Sequence, residues 1–162
     1  MIFNICNIAL NEFKMMSLKF RCNCPITSAL DIVGDRWVLV IVKLMLFQGK
    51  ETFKDFTESN ESIATNILTN KLKFMEEIGL VKKLKKPDNK KSIYYHLTQK
   101  GLDLAPAIIE LALWSNSHLN ELNDVMQQNN NIDIIKTDKS KFIHDCIAHY
   151  KQAVFKKNLI KA

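Results

Sequence analysis

The sequence predicts a mainly α-helical chain with one small β-hairpin, an α+β arrangement, and three observations predict it. Apolar residues recur at helical spacing through most of the chain. Two short runs, residues 80–86 and 92–98, flank the turn former Pro87-Asp88-Asn89 and read as paired strands. The basic charge is also concentrated. Residues 62–100 hold nine lysines against Glu76, Glu77 and Asp88, while the rest of the chain balances at 14 basic and 14 acidic residues. The net charge of +6 therefore sits on one stretch. Concentrated positive charge implies an anionic partner, nucleic acid or a membrane surface; the bland alternative is a solvated lysine face.

Each element has a local reason. Residues 27–33 read as a short helix behind Pro25, with Ile26, Leu30 and Val33 at helical spacing. Gly34 breaks it, and Asp35 is the expected N-cap of a second helix, 36–47. That helix is apolar nearly all round (Trp37, Leu39, Val40, Ile41, Leu44, Leu46), so it is central or lies on a subunit seam. Gly49 ends it. Thr52-Phe53 reads as a brief strand and 53–59 as a short helix with Phe53 and Phe56 inward. After the polar turn Ser59-Asn60-Glu61-Ser62, helix 63–78 puts Ala64, Leu68, Leu72 and Met75 on one face. Thr65, Asn66, Thr69, Asn70 and Lys73 take the other, and Gly79 closes the end. In the second strand, alternation points Ile93, Tyr95 and Leu97 inward and Tyr94 and His96 outward. A long helix, 102–127, follows with Ile108, Leu111, Ala112 and Trp114 as its apolar stripe; Pro106 sits in its first turns or resets its start. "QQNNNID" reads as a polar linker and 140–161 as a last amphipathic helix. The resulting organisation is an N-terminal arm (1–23), a domain (24–122), and a linker with a C-terminal helical extension (123–162).

Short helix, polar turn, longer helix, then two strands with a basic loop is the order of a winged helix-turn-helix. The B-DNA major groove admits one α-helix. A helix used there needs an apolar back and small hydrogen-bonding or basic residues in front, which 63–78 provides. Asn can pair with adenine through two hydrogen bonds. The hairpin lysines (82, 83, 85, 86, 90 and 91) would lie along the sugar-phosphate backbone, giving affinity and salt dependence without sequence choice.

Several motifs in order resemble the HxlR type of winged-helix transcriptional regulator. "CNCPITSALDIVGDRWVLVIVKLML" resembles that family's opening, with a Cys-Pro pair, a short helix and Gly-x-(Lys/Arg)-Trp before an apolar helix. "FKDFTESNESIATNILTNKLKFMEEIGLV" resembles its helix-turn-helix, "YYHLTQKG" the end of its wing and "LALWSNSH" its dimerisation helix. The match covers residues 24–118. It implies a homodimer binding a palindromic operator in double-stranded DNA, with dimerisation helices flanking the winged helix-turn-helix. By position it places Thr65, Asn66, Thr69, Asn70 and Lys73, with Lys71, on DNA, and Lys90 and Lys91 at the wing tip. The family commonly carries arginine at the positions of Lys71 and Lys73 and near Ser92. Lysine is a point charge that cannot fork onto guanine, so base choice would lean on Asn66 and Asn70. Trp37, Ile108, Leu111 and Trp114 are the dimer-interface candidates, since this much apolar helix exceeds what a small core needs and palindromic sites need a dimer. Some relatives use the Cys-Pro cysteine as a sensor of oxidants, quinones or aldehydes. Cys24 holds that position, and a small-molecule or oxidant effector is implied.

Other readings are weaker. Cys6, Cys22, Cys24 and Cys146 do not form a disulfide framework, so a reducing cytoplasmic setting at the nucleoid is expected. Residues 1–14 lack the basic start of a secretory signal, and the apolar run 37–47, interrupted by Lys43, is too short to span a bilayer. Met15-Met16 is a second candidate start of translation, which N-terminal mass spectrometry of the native protein resolves. His144, Cys146 and His149 read as a helix surface around one buried cysteine and not as a metal site. No P-loop, GxSxG, HExxH or Rossmann fingerprint is present, so no enzyme, catalytic residue, metal or cofactor is expected. The alternative of a different class is a winged-helix interaction module whose lysine-rich hairpin binds RNA, an anionic surface or an acidic protein.

Overall fold

Asp35 opens the central helix of the fold. Its carboxylate accepts a hydrogen bond from the Trp37 amide at 2.9 Å, satisfying one of the first-turn donors that a helix leaves free. The computed structural model describes residues 19–86, 89–122 and 131–159, with backbone alone at 86, 89–91, 131 and 157–159. Its elements are helices α1 (Pro25–Val33), α2 (Arg36–Gln48), α3 (Phe53–Thr57) and α4 (Thr65–Glu77), then strands β1 (Val81–Lys86) and β2 (Asn89–Leu97). Helices α5 (Gln99–Leu102) and α6 (Ala105–His118) follow, a 3₁₀ turn at Asn120–Leu122, and finally α7 (Asn131–Thr137) and α8 (Lys139–Leu159). The expected arm through residue 18, the Pro87-Asp88 turn and the linker through 130 lie outside the described residues.

Helix α2 is the axis of the core. Val38, Ile41, Val42 and Met45 are fully buried, and Phe56 of α3 and Leu68, Leu72 and Met75 of α4 pack around them. Each such side chain contributes roughly 1.5–3 kcal/mol on burial. Gly49 and Gly79 end α2 and α4 with φ of 62° and 73°, the left-handed conformation that a side chain disfavours. Helix α3 begins with a reciprocal cap: Thr52 Oγ1 accepts from the Asp55 amide and the Asp55 carboxylate from the Thr52 amide. The expected strand at Thr52-Phe53 is thus a single bridge, Thr52 to Tyr94, after which Phe53 turns into helix.

The two strands pair antiparallel from Val81–Leu97 to Lys86–Asn89, with a bulge between Lys85 and Lys86. The expected outward placement of Tyr94 and His96 is corrected here. Tyr94 and His96 are buried at 8% and 2% exposure, while Ile93 is exposed. Both faces of β2 are covered. Tyr95 packs edge-on against Phe56 with ring centroids 6.5 Å apart. Behind, His96 and Leu97 share a hollow with Tyr150, Val154 and Phe155 of α8.

The expected long helix 102–127 is divided. Thr98 caps α5 through a bond from the Gly101 amide, the chain turns at 103–104, and Pro106 resets the start of α6, which ends at His118. Its buried residues are Ala105 and Ile109, not the whole expected stripe; Leu111 and Trp114 are exposed at 51% and 56%. The end of "QQNNNID" belongs to α7 and is helical, and Lys139 of α8 forms an ion pair with Glu110 of α6. Helix α1 forms as its spacing indicates but has no buried residue: Ile26 and Leu30 stand 73% and 53% exposed.

Candidate nucleic-acid interface

Leu68, Leu72 and Met75 recur at helical spacing and anchor one side of α4 in the core. The opposite side is thereby fixed: Thr65, Asn66, Thr69, Asn70 and Lys73 are all exposed and form one outward row. Their chemistry is not equivalent. Ala64, the N-cap, has no side chain to offer the first turn, and Asn66 Oδ1 accepts from the Ile67 amide at 2.9 Å instead. The Thr69 hydroxyl donates to the Thr65 carbonyl at 2.8 Å. Asn70 and Lys73 make no such bond to another described residue, so their polar groups are the ones available without rearrangement.

Lys71 departs from the expected DNA-facing set. It lies on the flank of α4 toward α2, and its ammonium pairs with Asp35 at 2.9 Å. Burial works against the Asp35 carboxylate, but the hydrogen bonds from Lys71 and the Trp37 amide outweigh it and hold its pKa below 3.8. A second ion pair, Lys43 with Glu61, ties the same helix α2 to the turn preceding α4. In that turn Ser62 adopts φ 51°, a conformation uncommon outside glycine. Ion pairs thus tie α2 both to the middle of α4 and to the turn that precedes it.

Asp35→Ala is expected to lower stability by about 1–2 kcal/mol at pH 7 through the lost cap, read as a lower urea midpoint. Because the folded pKa is depressed, the wild-type advantage is present above the ordinary carboxylate value of 3.8 and is lost as pH falls through the lower folded value. The two midpoints should converge toward acid.

The hairpin is joined to α4 as well. Lys83 pairs with Glu76 at 2.7 Å, and that hydrogen bond raises the Lys83 pKa. The same ammonium stands 6.0 Å from the Tyr95 ring centre. Lys83 thus braces the hairpin against the helix, while Lys82 and Lys85 are exposed. Lys90 and Lys91 lie on the β2 backbone, and their side chains are outside the described set. None of these three ion pairs was legible in the sequence, because each joins elements whose packing no local pattern specifies.

Cys24 is the exposed N-cap of α1. The Thr27 amide, then the Thr27 hydroxyl and the Ile26 amide, lower its pKa below the ordinary 9.0, although no cap hydrogen bond closes. The nearby arginines do not supply this effect. Arg21 is paired with Asp31, and the Arg36 guanidinium lies 4.7 Å over the Trp37 ring. Cys22 is also exposed, and its sulfur accepts from the Cys24 amide at 3.4 Å. Among the described residues no three His, Cys, Asp or Glu side chains are grouped to hold a metal ion, and no helix is long and apolar enough to cross a membrane. Of the dimer candidates, Trp37 and Ile108 pack against the monomer core, whereas Leu111 and Trp114 face outward.

Residues 32–123 match the profile of the HxlR-like helix-turn-helix family, more than half of the chain. The chain belongs to the HxlR-like family. Among its relatives, the uncharacterised HTH-type transcriptional regulator YvaP of Bacillus subtilis is 34% identical over 93 residues, 57% of this chain and 85% of YvaP. The HTH-type transcriptional regulator YodB of the same organism is 30% identical over 93 residues, 57% of this chain and 82% of YodB. The structure of the redox regulator HypR in its reduced form superimposes with a TM-score of 0.53 at 26% identity, covering 62% of this chain and all of HypR. The family and these relatives are transcriptional regulators and not enzymes. Within this HxlR-type chain, helix α8 lies beyond the matched region, and the resemblance read from the Cys-Pro, helix-turn-helix and wing motifs is the family found.

Proposed function

We propose that this HxlR-type chain is a sequence-specific DNA-binding regulator that occupies a palindromic operator as a homodimer, in the cytoplasm at the nucleoid. The outward row of α4 carries the reading: Thr65, Asn66, Thr69, Asn70 and Lys73 lie together on a helix that two ion pairs fix to the core, beside a lysine-bearing hairpin. In the groove, Asn70 and Asn66 would read base edges, Thr65, Thr69 and Lys73 would position the helix on phosphates, and Lys85, Lys90 and Lys91 would line the wing. Lys71 serves to orient the helix. The winged helix-turn-helix domain is placed at residues 24–122, with an N-terminal arm before it and a helical extension after it.

A gel shift with the DNA upstream of the protein's own gene tests this. Specific retardation that survives excess random duplex is the expected result. Retardation of RNA or anionic vesicles with none of DNA would favour the interaction-module alternative.

We further propose that Cys24 senses electrophiles. Its exposed thiol is shifted toward thiolate, and the HypR and YodB relatives include a redox regulator and a regulator solved in its reduced form. The thiolate would add to a quinone ring carbon, the electron pair moving onto a ring carbonyl oxygen that takes up a proton, and the ring, rearomatised by a proton shift, would stay bonded to Sγ as a hydroquinone thioether. Quinone treatment is expected to weaken operator binding, and Cys24→Ser to abolish that response. A serine variant that responds like wild type removes Cys24 from the account.

A further inference from the structure

Helix α8 lies outside the family-matched region, yet it reaches the wing. A two-stranded hairpin is marginal by itself and needs support along its edge. In this hairpin the amides of Tyr95 and Leu97 point away from β1. The Glu51 carbonyl takes the first at 2.7 Å, and the Tyr150 hydroxyl of α8 takes the second at 2.8 Å. Tyr150 is 7% exposed, and Leu97 is buried beside it. Next in sequence, Lys151 donates to Gln99 of α5 at 3.0 Å, so the same turn of α8 grips both the end of β2 and the helix that follows it. At its other end α8 is paired through Lys139 to Glu110 of α6. The helix is a strap from α6 to the base of the wing.

We propose that Tyr150 is a positioning residue for the wing, and that the C-terminal extension sets how the hairpin lysines meet DNA. The inference rests on the DNA-binding reading above. Besides the Glu51 carbonyl on Tyr95, two side-chain supports act on the hairpin: Lys83 of β1 with Glu76 of α4, and Tyr150 of α8 with the Leu97 amide of β2. Removing the second leaves a buried amide without its acceptor and frees β2 at the point where it leaves the body. A loosened wing presents its cations to fewer phosphates at once. The recognition row on α4 is untouched, because none of its residues contacts α8 in any hydrogen bond or ion pair among the described residues.

The test compares wild type with Tyr150→Phe, which removes only the hydroxyl. Operator and random duplex are titrated across a salt series, and exchange of the Leu97 amide is followed by NMR. The expected result is Leu97 exchange faster by about tenfold or more, with a salt slope shallower by about one unit as one phosphate contact is lost. Affinity should fall by a similar factor on both duplexes. A purely structural role would lower the melting temperature and leave the salt slope, measured well below it, unchanged. Where the Phe variant does not fold, Gln99→Ala, which releases Lys151 without changing charge, is expected to shift the slope the same way by a smaller amount. A wild-type slope in whichever variant folds overturns the inference. Failure of the wild-type protein to select its operator instead overturns the DNA-binding reading, so the two failures are told apart.

Discussion

A Leu111→Glu, Trp114→Glu double variant is expected to sediment as a monomer and to bind operator DNA at least about a hundredfold more weakly than wild type. Both side chains are more than half exposed on α6, and neither contributes to the buried core. Leu111 and Trp114 stand exposed one turn apart on α6, and the proposed dimer would close on them. Covering a leucine or tryptophan contributes roughly 1.5–3 kcal/mol each, and two-fold symmetry doubles the count. Placing a carboxylate at each position would cost that burial and set like charges against each other across the axis. On a palindromic operator the second subunit binds at a high effective concentration, so a monomer forfeits far more than one half-site. Because the changes lie on the monomer surface, the far-UV spectrum should hold, while the melting temperature should fall and lose its dependence on protein concentration as association is lost. A variant that remains dimeric, or a monomer that binds with wild-type affinity, would contradict this.

Asn70→Ala is expected to cost roughly 1–3 kcal/mol on the operator and almost nothing on random duplex. Asn70 stands in the outward row of α4 without a hydrogen bond to another described residue. Its amide is free to present a donor and an acceptor together to adenine. Asn66 is a less clean probe, because its oxygen already satisfies the Ile67 amide, so its removal also weakens the start of the helix. Operator and random affinities measured at one salt concentration separate the two effects. Equal losses on both duplexes would remove Asn70 from base recognition and leave α4 as a phosphate-binding surface.

The outward placement of Thr65, Asn66, Thr69, Asn70 and Lys73 on α4 was legible in the sequence because its determinants are local. Asp35 before an apolar run, Gly49 and Gly79 after their helices, and the spacing of Leu68, Leu72 and Met75 each act within one or two turns. The row opposite those three residues then follows from helix geometry alone. What was not legible depends on distant segments. Tyr94 and His96 alternate as an outward-facing pair would, but distant segments reach them: Tyr94 bridges to Thr52, and His96 shares a hollow with Tyr150 and Val154 of α8, more than fifty residues away. Ile26 and Leu30 have core spacing but no core beneath them, since periodicity reports an apolar face and not what meets it. The division at 103–104 reflects two competing starts, the Thr98 cap and Pro106, where a continuous stripe suggested one helix. Lys71 looked like its neighbour Lys73, and a rotation of 200° around the helix axis, two residues of a 3.6-residue turn, sends it to Asp35 instead.

The measurement that bears most directly on the central claim is a hydroxyl-radical and guanine-methylation footprint on the protein's own upstream region, with the stoichiometry of the complex determined alongside. Two protomers per duplex, with protections in two major-groove segments about one helical turn apart, or a multiple of it, related by a dyad, is the predicted result. One protomer per site, or protection spread evenly without groove or sequence preference, would contradict it.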